Sequence, residues 1–324
     1  MRRARACLAL GILLASCSLT PGSRKSARLP QEPMPYVVVL GTAQDGGLPQ
    51  LGCEEECCRA AWRNPSARRL VSSLLIVDPR SGKRWLIDAT PDIAEQVELA
   101  RDHGQPSGPG HRPPLFDGVF LTHLHMGHYA GLLHLGREVY ASQTMPVYCS
   151  ERSAAFLKSE APWSALVENE NIRLEPVLPE SPIELAPGLS ITPILVPHRD
   201  EYSDTFAFRI EGPSRKVLFL PDIDKWERWA PPIEETLAAV DVALLDGTFF
   251  DTTEVPGRDH TQILHPLISR SLLRFATLPF SQRSKVHYTH LNHSNPAANP
   301  RSLARMRIER TGAKVAAEGL RIDL

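Results

Sequence analysis

The sequence has almost no net charge, no apolar run of membrane length and no lysine where a phosphate loop would need one. Its 36 basic and 37 acidic residues leave a formal charge of -1, and no basic patch marks a nucleic-acid surface. The longest apolar stretch, Ala6 to Ala15, holds about ten residues, too few to cross a bilayer as a helix. The glycine-rich turn Gly41-Thr42-Ala43-Gln44-Asp45-Gly46-Gly47 is not followed by a helix-opening G-K-[ST], which weakens any reading as a nucleotide cradle. What remains is the profile of an ordinary globular chain. Its 324 residues, 42% hydrophobic and 23% charged, hold one large domain or two modest ones. The 29 prolines fall mostly between periodic segments, as expected of many strand–loop connections.

The N-terminus reads as an address. Arg2, Arg3 and Arg5 precede the apolar stretch, and Leu14-Ala15-Ser16-Cys17 resembles the lipobox of bacterial lipoproteins. Residues 1–17 are therefore expected to be a lipoprotein signal peptide, with Cys17 carrying the lipid, and residues 18–34 a flexible tether. By the sorting rules of such lipoproteins, Ser18 implies export and lipid anchoring to the cell envelope, on the periplasmic face of the outer membrane. Cys17→Ala is expected to release the protein from membrane fractions; unchanged fractionation would sink this expectation. The folded domain is expected over 35–324.

Its chemistry is concentrated in Asp117 to Gly131. The apolar run Val119-Phe120-Leu121 reads as a short buried strand, and Thr122 begins a polar turn. Alternation puts His123 and His125 on one face, and His128 follows on the turn that starts the next helix. Three imidazoles at one strand end suit a borderline-soft cation such as Zn(II).

The same pattern recurs along the chain. Strands are expected at Tyr36–Leu40, Leu70–Val77, Lys83–Asp88, Pro146–Cys149, Ile191–Val196, Phe206–Ile210, Lys216–Leu220, Val240–Leu245, Val286–Thr289 and Lys314–Ala317. Helices are expected from Asp92 to Arg101, Tyr129 to Arg137, Ser150 onward, Ile263 to Leu278 and Pro300 to Thr311, with Asp92 as a helix N-cap. Successive strands end in His198, Asp222 and His290, and in layered α/β folds ligands gather beyond the carboxyl ends of strands. Asp88 and Asp246, also at strand ends, are positioned to orient ligating histidines. Cys53, Cys57 and Cys58 admit two readings, disulfides in an exported protein or thiolate ligands of a structural zinc. Cys149 reads as a buried hydrophobe.

These residues resemble the metallo-β-lactamase superfamily of metallohydrolases, whose H-x-H-x-D-H motif is matched at His123, His125 and His128, with His198, Asp222 and His290 completing the set. Within it, V-V-V-L-G-T-A-Q-D-G-G-L-P-Q at 37–50, A-T-P-D-I at 89–93, L-D-G-T at 245–248 and N-H-S-N-P at 292–296 are most similar to the pyrroloquinoline-quinone biosynthesis protein B group. The chain also resembles the phosphonate-utilisation cyclic phosphodiesterases, which hold a second, structural zinc. The resemblance implies an α/β fold, a four-layer αββα sandwich. It implies zinc at the active site, in one or two positions, with Fe or Mn as alternatives there. His123, His125, His198 and a bridging Asp222 would form one position; His128, His290 and Asp222 the other. It also implies a structural zinc on Cys53, Cys57 or Cys58, and His293. Glu55 stands where the usual C-x-C-x-x-C has its middle cysteine. Gly127 occupies the place of the motif's aspartate, so the second position is expected to be short of one carboxylate and partly filled or empty.

The function this implies is hydrolysis of a phosphodiester or other ester in a small-molecule substrate by metal-activated water. Asp222 would bridge the metals and orient the nucleophile. His265 would donate a proton to the leaving group, with His260 as the competing donor and Tyr202 and Asp204 facing substrate. Two rivals stand beside it: an oxygen-dependent reaction like that of the biosynthesis group, at a redox metal, and a non-catalytic, metal-stabilised binding protein at the membrane surface.

Overall fold

Along β1 (Tyr36–Gly41), Val37 and Val39 face one side while Tyr36, Val38 and Leu40 face the other, and all five are buried, so the strand is covered on both faces. The computed structural model describes residues 33–104, 112–254 and 263–324. The expected signal peptide, Cys17, nearly all of the tether and His260 lie outside the described residues.

Two seven-stranded sheets are built from these residues. The first contains β1, β2 (Ser73–Asp78), β3 (Lys83–Ile87), β4 (Gly118–Phe120), β5 (Met145–Cys149) and β6 (Ile172–Pro176), paired in chain order. The second contains β7 (Ile183–Ala186), β8 (Leu189–Val196), β9 (Thr205–Glu211), β10 (Lys216–Leu220), β11 (Val242–Asp246), β12 (Val286–Thr289) and β13 (Lys314–Val315), again in chain order. The last strand, β14 (Arg321–Asp323), returns to the first sheet beside β1, with Val37 opposite Ile322.

Three apolar layers hold the sheets and helices together. Between the sheets lie Phe120, Phe206, Phe208 and Phe219 with the inward-facing valines, leucines and isoleucines. Outside the first sheet, α2 (Ile93–Leu99), α4 (Glu151–Ser159) and α5 (Trp163–Glu168) contribute Ile93, Leu157 and Leu166. Outside the second, α6 (Ile233–Ala239), α7 (Ile268–Phe275) and α9 (Leu303–Arg310) contribute Leu237, Leu272 and Ile308. The result is the expected αββα sandwich. Helix α1 (Glu56–Arg63) and the four-residue helices α3 (Met126–Tyr129) and α8 (Phe280–Arg283) complete the set among the described residues. Among the described residues no helix is long and apolar enough to cross a membrane.

Strand direction fixes where the site must be. β1 and β3 are both antiparallel to β2, and β3, β4 and β5 are parallel, so β1, β3 and β4 end at one edge of the first sheet. By the same logic β8, β10, β11 and β12 end at one edge of the second.

Several local expectations are corrected. The helix expected from Ile263 begins only at Ile268, beyond Pro266. The helix expected from Tyr129 starts at Met126 and tightens into a 3₁₀ turn over Ala130–Leu135. Asp92 occupies the N-cap position of α2, but its carboxylate accepts from the Val71 backbone N–H at 2.8 Å instead of capping the helix.

Candidate metal centre

Each histidine of the centre turns one ring nitrogen toward a polar neighbour, which leaves the other facing inward. His123 Nδ1 lies 3.0 Å from Thr122 Oγ1, whose own proton goes to the buried Asp88 carboxylate. His128 Nδ1 donates to Asp88 Oδ2 at 2.7 Å, and His290 Nδ1 lies 3.0 Å from Thr248 Oγ1, which donates to Asp246. His125 turns Nε2 to Glu201 at 3.2 Å, and His198 Nδ1 faces Asp224 at 3.3 Å. Partners of this kind set the tautomer and ring orientation of metal-ligating histidines. Asp88 and His290 adopt left-handed backbone at φ 66 and 58, a conformation that non-glycine residues rarely hold and that turns both side chains inward at their strand ends.

The inward atoms form two groups. In the first, His125 Nδ1 lies 2.8 Å from His123 Nε2 and 3.2 Å from His198 Nε2, while Asp222 Oδ2 is 3.5 Å from His123 and 3.1 Å from His198. Four ligands at about 2.0–2.1 Å around a tetrahedral zinc stand roughly 3.3 Å from one another, so these separations match a filled coordination shell. In the second, His128 Nε2, His290 Nε2 and Asp45 Oδ1 converge. All three atoms are buried and lack a hydrogen-bonding partner, although His128 and Asp45 approach to 3.3 Å and His290 and Asp45 to 3.9 Å. Buried polar atoms are rarely orphaned in this way, and a cation between them would satisfy all three. Asp222 Oδ2 is 3.9 Å from His290 Nε2, so one carboxylate oxygen reaches both groups.

Asp45 overturns the expectation of a carboxylate-poor second position. A Cβ at Gly127 would lie 2.2 Å from Asp45 Oδ1 and 2.5 Å from Asp45 Cα. The loop after β1 thus occupies the space that a side chain at 127 would need, and its own aspartate supplies the oxygen. Glycine at 127 is the condition for Asp45's presence. Asp45 lies four residues beyond the end of β1, inside the glycine-rich turn, so it lacks the immediate strand-end position that marked His198 and Asp222.

Burial and the neighbouring carboxylates pull the titrating groups of the centre in opposite directions. Burial pulls the His123, His125 and His290 imidazoles below the ordinary histidine value. His128 is just as buried, yet Asp88 and Asp45 outweigh burial and carry it up to about 10. Burial pushes the Asp222 carboxyl up, but His198, His265 and His290 hold it well below the carboxylate range.

His265 sits beside the centre, with Nδ1 2.9 Å from Asp246 Oδ2 and 3.1 Å from Asp222 Oδ1. It lines an open cleft of about 1140 Å³ together with Asp45, Met126, Arg199, Phe249 and Glu254. Tyr202 and Asp204, expected to face substrate, are engaged elsewhere: Tyr202 packs on Phe156 at 5.4 Å between ring centroids, and Asp204 lies 3.4 Å from Arg152.

The cysteines resolve in favour of the thiolate reading. Cys53, Cys57 and Cys58 are free thiols, with Cys57 and Cys58 Sγ 3.9 Å apart, far beyond a disulfide. His293 Nδ1 stands 3.5, 3.7 and 3.4 Å from the three sulfurs. Zinc–sulfur bonds of about 2.3 Å and a zinc–nitrogen bond of about 2.0 Å place tetrahedral ligands at such separations, so all three cysteines fit one zinc with His293. The shifted spacing is accommodated because Cys57 and Cys58 lie in the first turn of α1 and Cys53 in the loop before it. Cys149, fully buried away from this cluster, has its thiol pushed up to about 12 by burial.

A family model described as beta-lactamase superfamily domain matches residues 83–311. The chain is similar to coenzyme PQQ synthesis protein B of Methylorubrum extorquens (strain PA1), 27% identical over 309 residues that cover 89% of this chain and 100% of that protein. It shares its fold with Zn(2+)-bound PqqB from Methylobacterium extorquens, at 24% identity and a TM-score of 0.75 over 89% of this chain and 100% of that one. It also shares it with a diphosphatase from the PhnP family, at 22% identity and a TM-score of 0.62 over 90% and 98% of the two chains.

Proposed function

The chain belongs to the beta-lactamase superfamily, and we propose that it is a metal-dependent hydrolase acting on a phosphodiester or other ester in the cleft beside the His/Asp centre. The observation that carries this reading is the shared oxygen of Asp222, within 3.9 Å of ligand atoms in both groups, which is the bridging arrangement a two-metal hydrolytic site requires. When bound, divalent ions at these positions lower the pKa of coordinated water to near neutrality and offset the charge that builds on the ester oxygens.

The chain's own residues supply the rest. Arg199 lines the cleft and offers a cation to an anionic ester, while Met126 and Phe249 offer apolar contact to its substituent. Asp246 and Asp222 hold His265 at the cleft wall, where its imidazole is placed to protonate a leaving oxygen. A diphosphatase from the PhnP family shares this fold, so the framework is compatible with hydrolysis at phosphorus. The test is turnover of bis(p-nitrophenyl) phosphate by the zinc-loaded protein, expected for the wild type and abolished in His123→Ala. Absence of turnover across phosphodiester and carboxylic ester panels, with metal in place, would refute it.

A second reading, oxygen-dependent chemistry at a redox metal, draws on the similarity to coenzyme PQQ synthesis protein B. Iron in the purified protein together with oxygen consumption would favour it over hydrolysis.

A further inference from the structure

Two of the three residues of the second group, Asp45 and His290, stand on the same two segments as the thiolate cluster. One leaves β1, places Asp45, and reaches Cys53, Cys57 and Cys58. The other follows β12, places His290, and three residues later His293. The segments are laced together near the active centre: Gln44 N donates to Leu291 O at 2.9 Å and Leu291 N to Thr42 O at 2.8 Å. Near the cluster, Gln50 N donates to Cys58 Sγ at 3.3 Å.

Between Asp45 and Cys53 the chain forms no helix or named strand, and its backbone is tied to a neighbouring segment at Leu48, which exchanges two hydrogen bonds with Arg69 at 2.9 and 2.8 Å. Beyond that bridge Leu51 is 96% exposed, and a Cβ at Gly52, where φ is 70, would meet nothing within 4 Å. The apolar core on this side contains only Leu48, Cys58 and Ala61 as buried members. His128, by contrast, stands on α3 and is fixed by Asp88, independently of the loop. An aspartate at position 127 would share that independence. Asp45 does not, because its carboxylate rides on the segment that the sulfurs anchor.

We infer that zinc at Cys53, Cys57, Cys58 and His293 organises the second active-site position through Asp45 and His290, so that the two are filled as a unit while the His123 position is filled on its own. This rests on the metal-centre reading above and adds a dependence between its parts. Zinc per chain, measured by mass spectrometry after reconstitution and gel filtration, reads it directly. The wild type is expected to hold three equivalents, and Cys53→Ser one, a loss of two for one sulfur. A loss of one equivalent alone would overturn the inference.

Cys53 is half-buried and lies outside the helix, which limits the effect of its change on folding. A second readout guards against a general collapse. The equivalent left in Cys53→Ser protein is expected to be that of the His123 position, so Cys53→Ser/His123→Ala should hold none. Loss of all three equivalents in Cys53→Ser alone would assign the effect to unfolding and overturn the coupling. A wild type with zinc at the thiolates alone would instead overturn the metal-centre reading itself.

Discussion

Replacing Gly127 by alanine adds one methyl group at the tightest point of the centre. The new Cβ would fall 2.2 Å from Asp45 Oδ1 and 2.5 Å from Asp45 Cα. Ordinary contacts to carbon need about 3.5 Å, so the two segments must part by roughly 1 Å. A rotation of the Asp45 side chain cannot relieve this, because the Asp45 backbone itself is in the way. The α3 side cannot retreat easily either, since His128 is held by Asp88 at 2.7 Å inside a fully buried setting. The loop therefore yields, and Asp45 leaves bonding range of a metal, which takes carboxylate oxygen at about 2.0–2.2 Å. Displacing a ligand or its support typically costs 10–100-fold in metal affinity, about 1.4–2.7 kcal/mol. Overpacking adds about 1–3 kcal/mol of lost stability. Competition against a chromophoric chelator, followed one equivalent at a time, is the assay. The His123 equivalent should bind as in the wild type and the second active-site equivalent should weaken by that factor. A folded Gly127→Ala protein whose active-site equivalents both bind as in the wild type would refute the reasoning.

Two further outcomes follow from other parts of the molecule. Phe208 is fully buried between the sheets, with its ring 5.6 Å from Phe120, and Phe208→Ala should cost about 3–5 kcal/mol, read as a lower urea midpoint with unchanged slope. Burial pushes the Glu318 carboxyl up to about 7 while Leu70 N–H donates to it at 2.7 Å. Because the folded form holds this proton more tightly than the unfolded form, the cost of ionisation is absent below about pH 4.5, accrues as pH rises, and is complete above about 7. Glu318→Gln keeps the acceptor and removes the cost, so it should match the wild type in urea unfolding at pH 4.5 and exceed it by up to about 3 kcal/mol at pH 8. Equal stability of the two proteins at pH 8 would contradict the assignment.

The strands and most of the centre were legible because both rest on local pattern. Buried runs such as Val37–Leu40 and Val217–Leu220 announce themselves, and a histidine or aspartate just past β4, β8, β10 and β12 marks the edge where the site lies. What was hidden depended on space, not pattern. Asp45 lies 82 positions before Gly127, and only the folded chain shows that one fills the room the other leaves. The edge strands β6 and β7 went unread because β6 is only partly buried, ends in Pro176 and follows a short helix, α5, with no strong cap. β14 is three residues long and gains its strand character from β1 alone. Glu201 and Asp224, which face His125 and His198, sit in two separate loops, after β8 and after β10, whose partners sequence cannot supply.

The most direct test of the account is the anomalous scattering of a zinc-loaded crystal. Three peaks are predicted: one at Cys53, Cys57, Cys58 and His293, one at His123, His125, His198 and Asp222, and one at His128, His290, Asp222 and Asp45. Asp45 should lie within about 2.2 Å of the third. A third peak with Asp45 turned away, or its place taken by water, would contradict the claim that the loop after β1 replaces the carboxylate missing at Gly127.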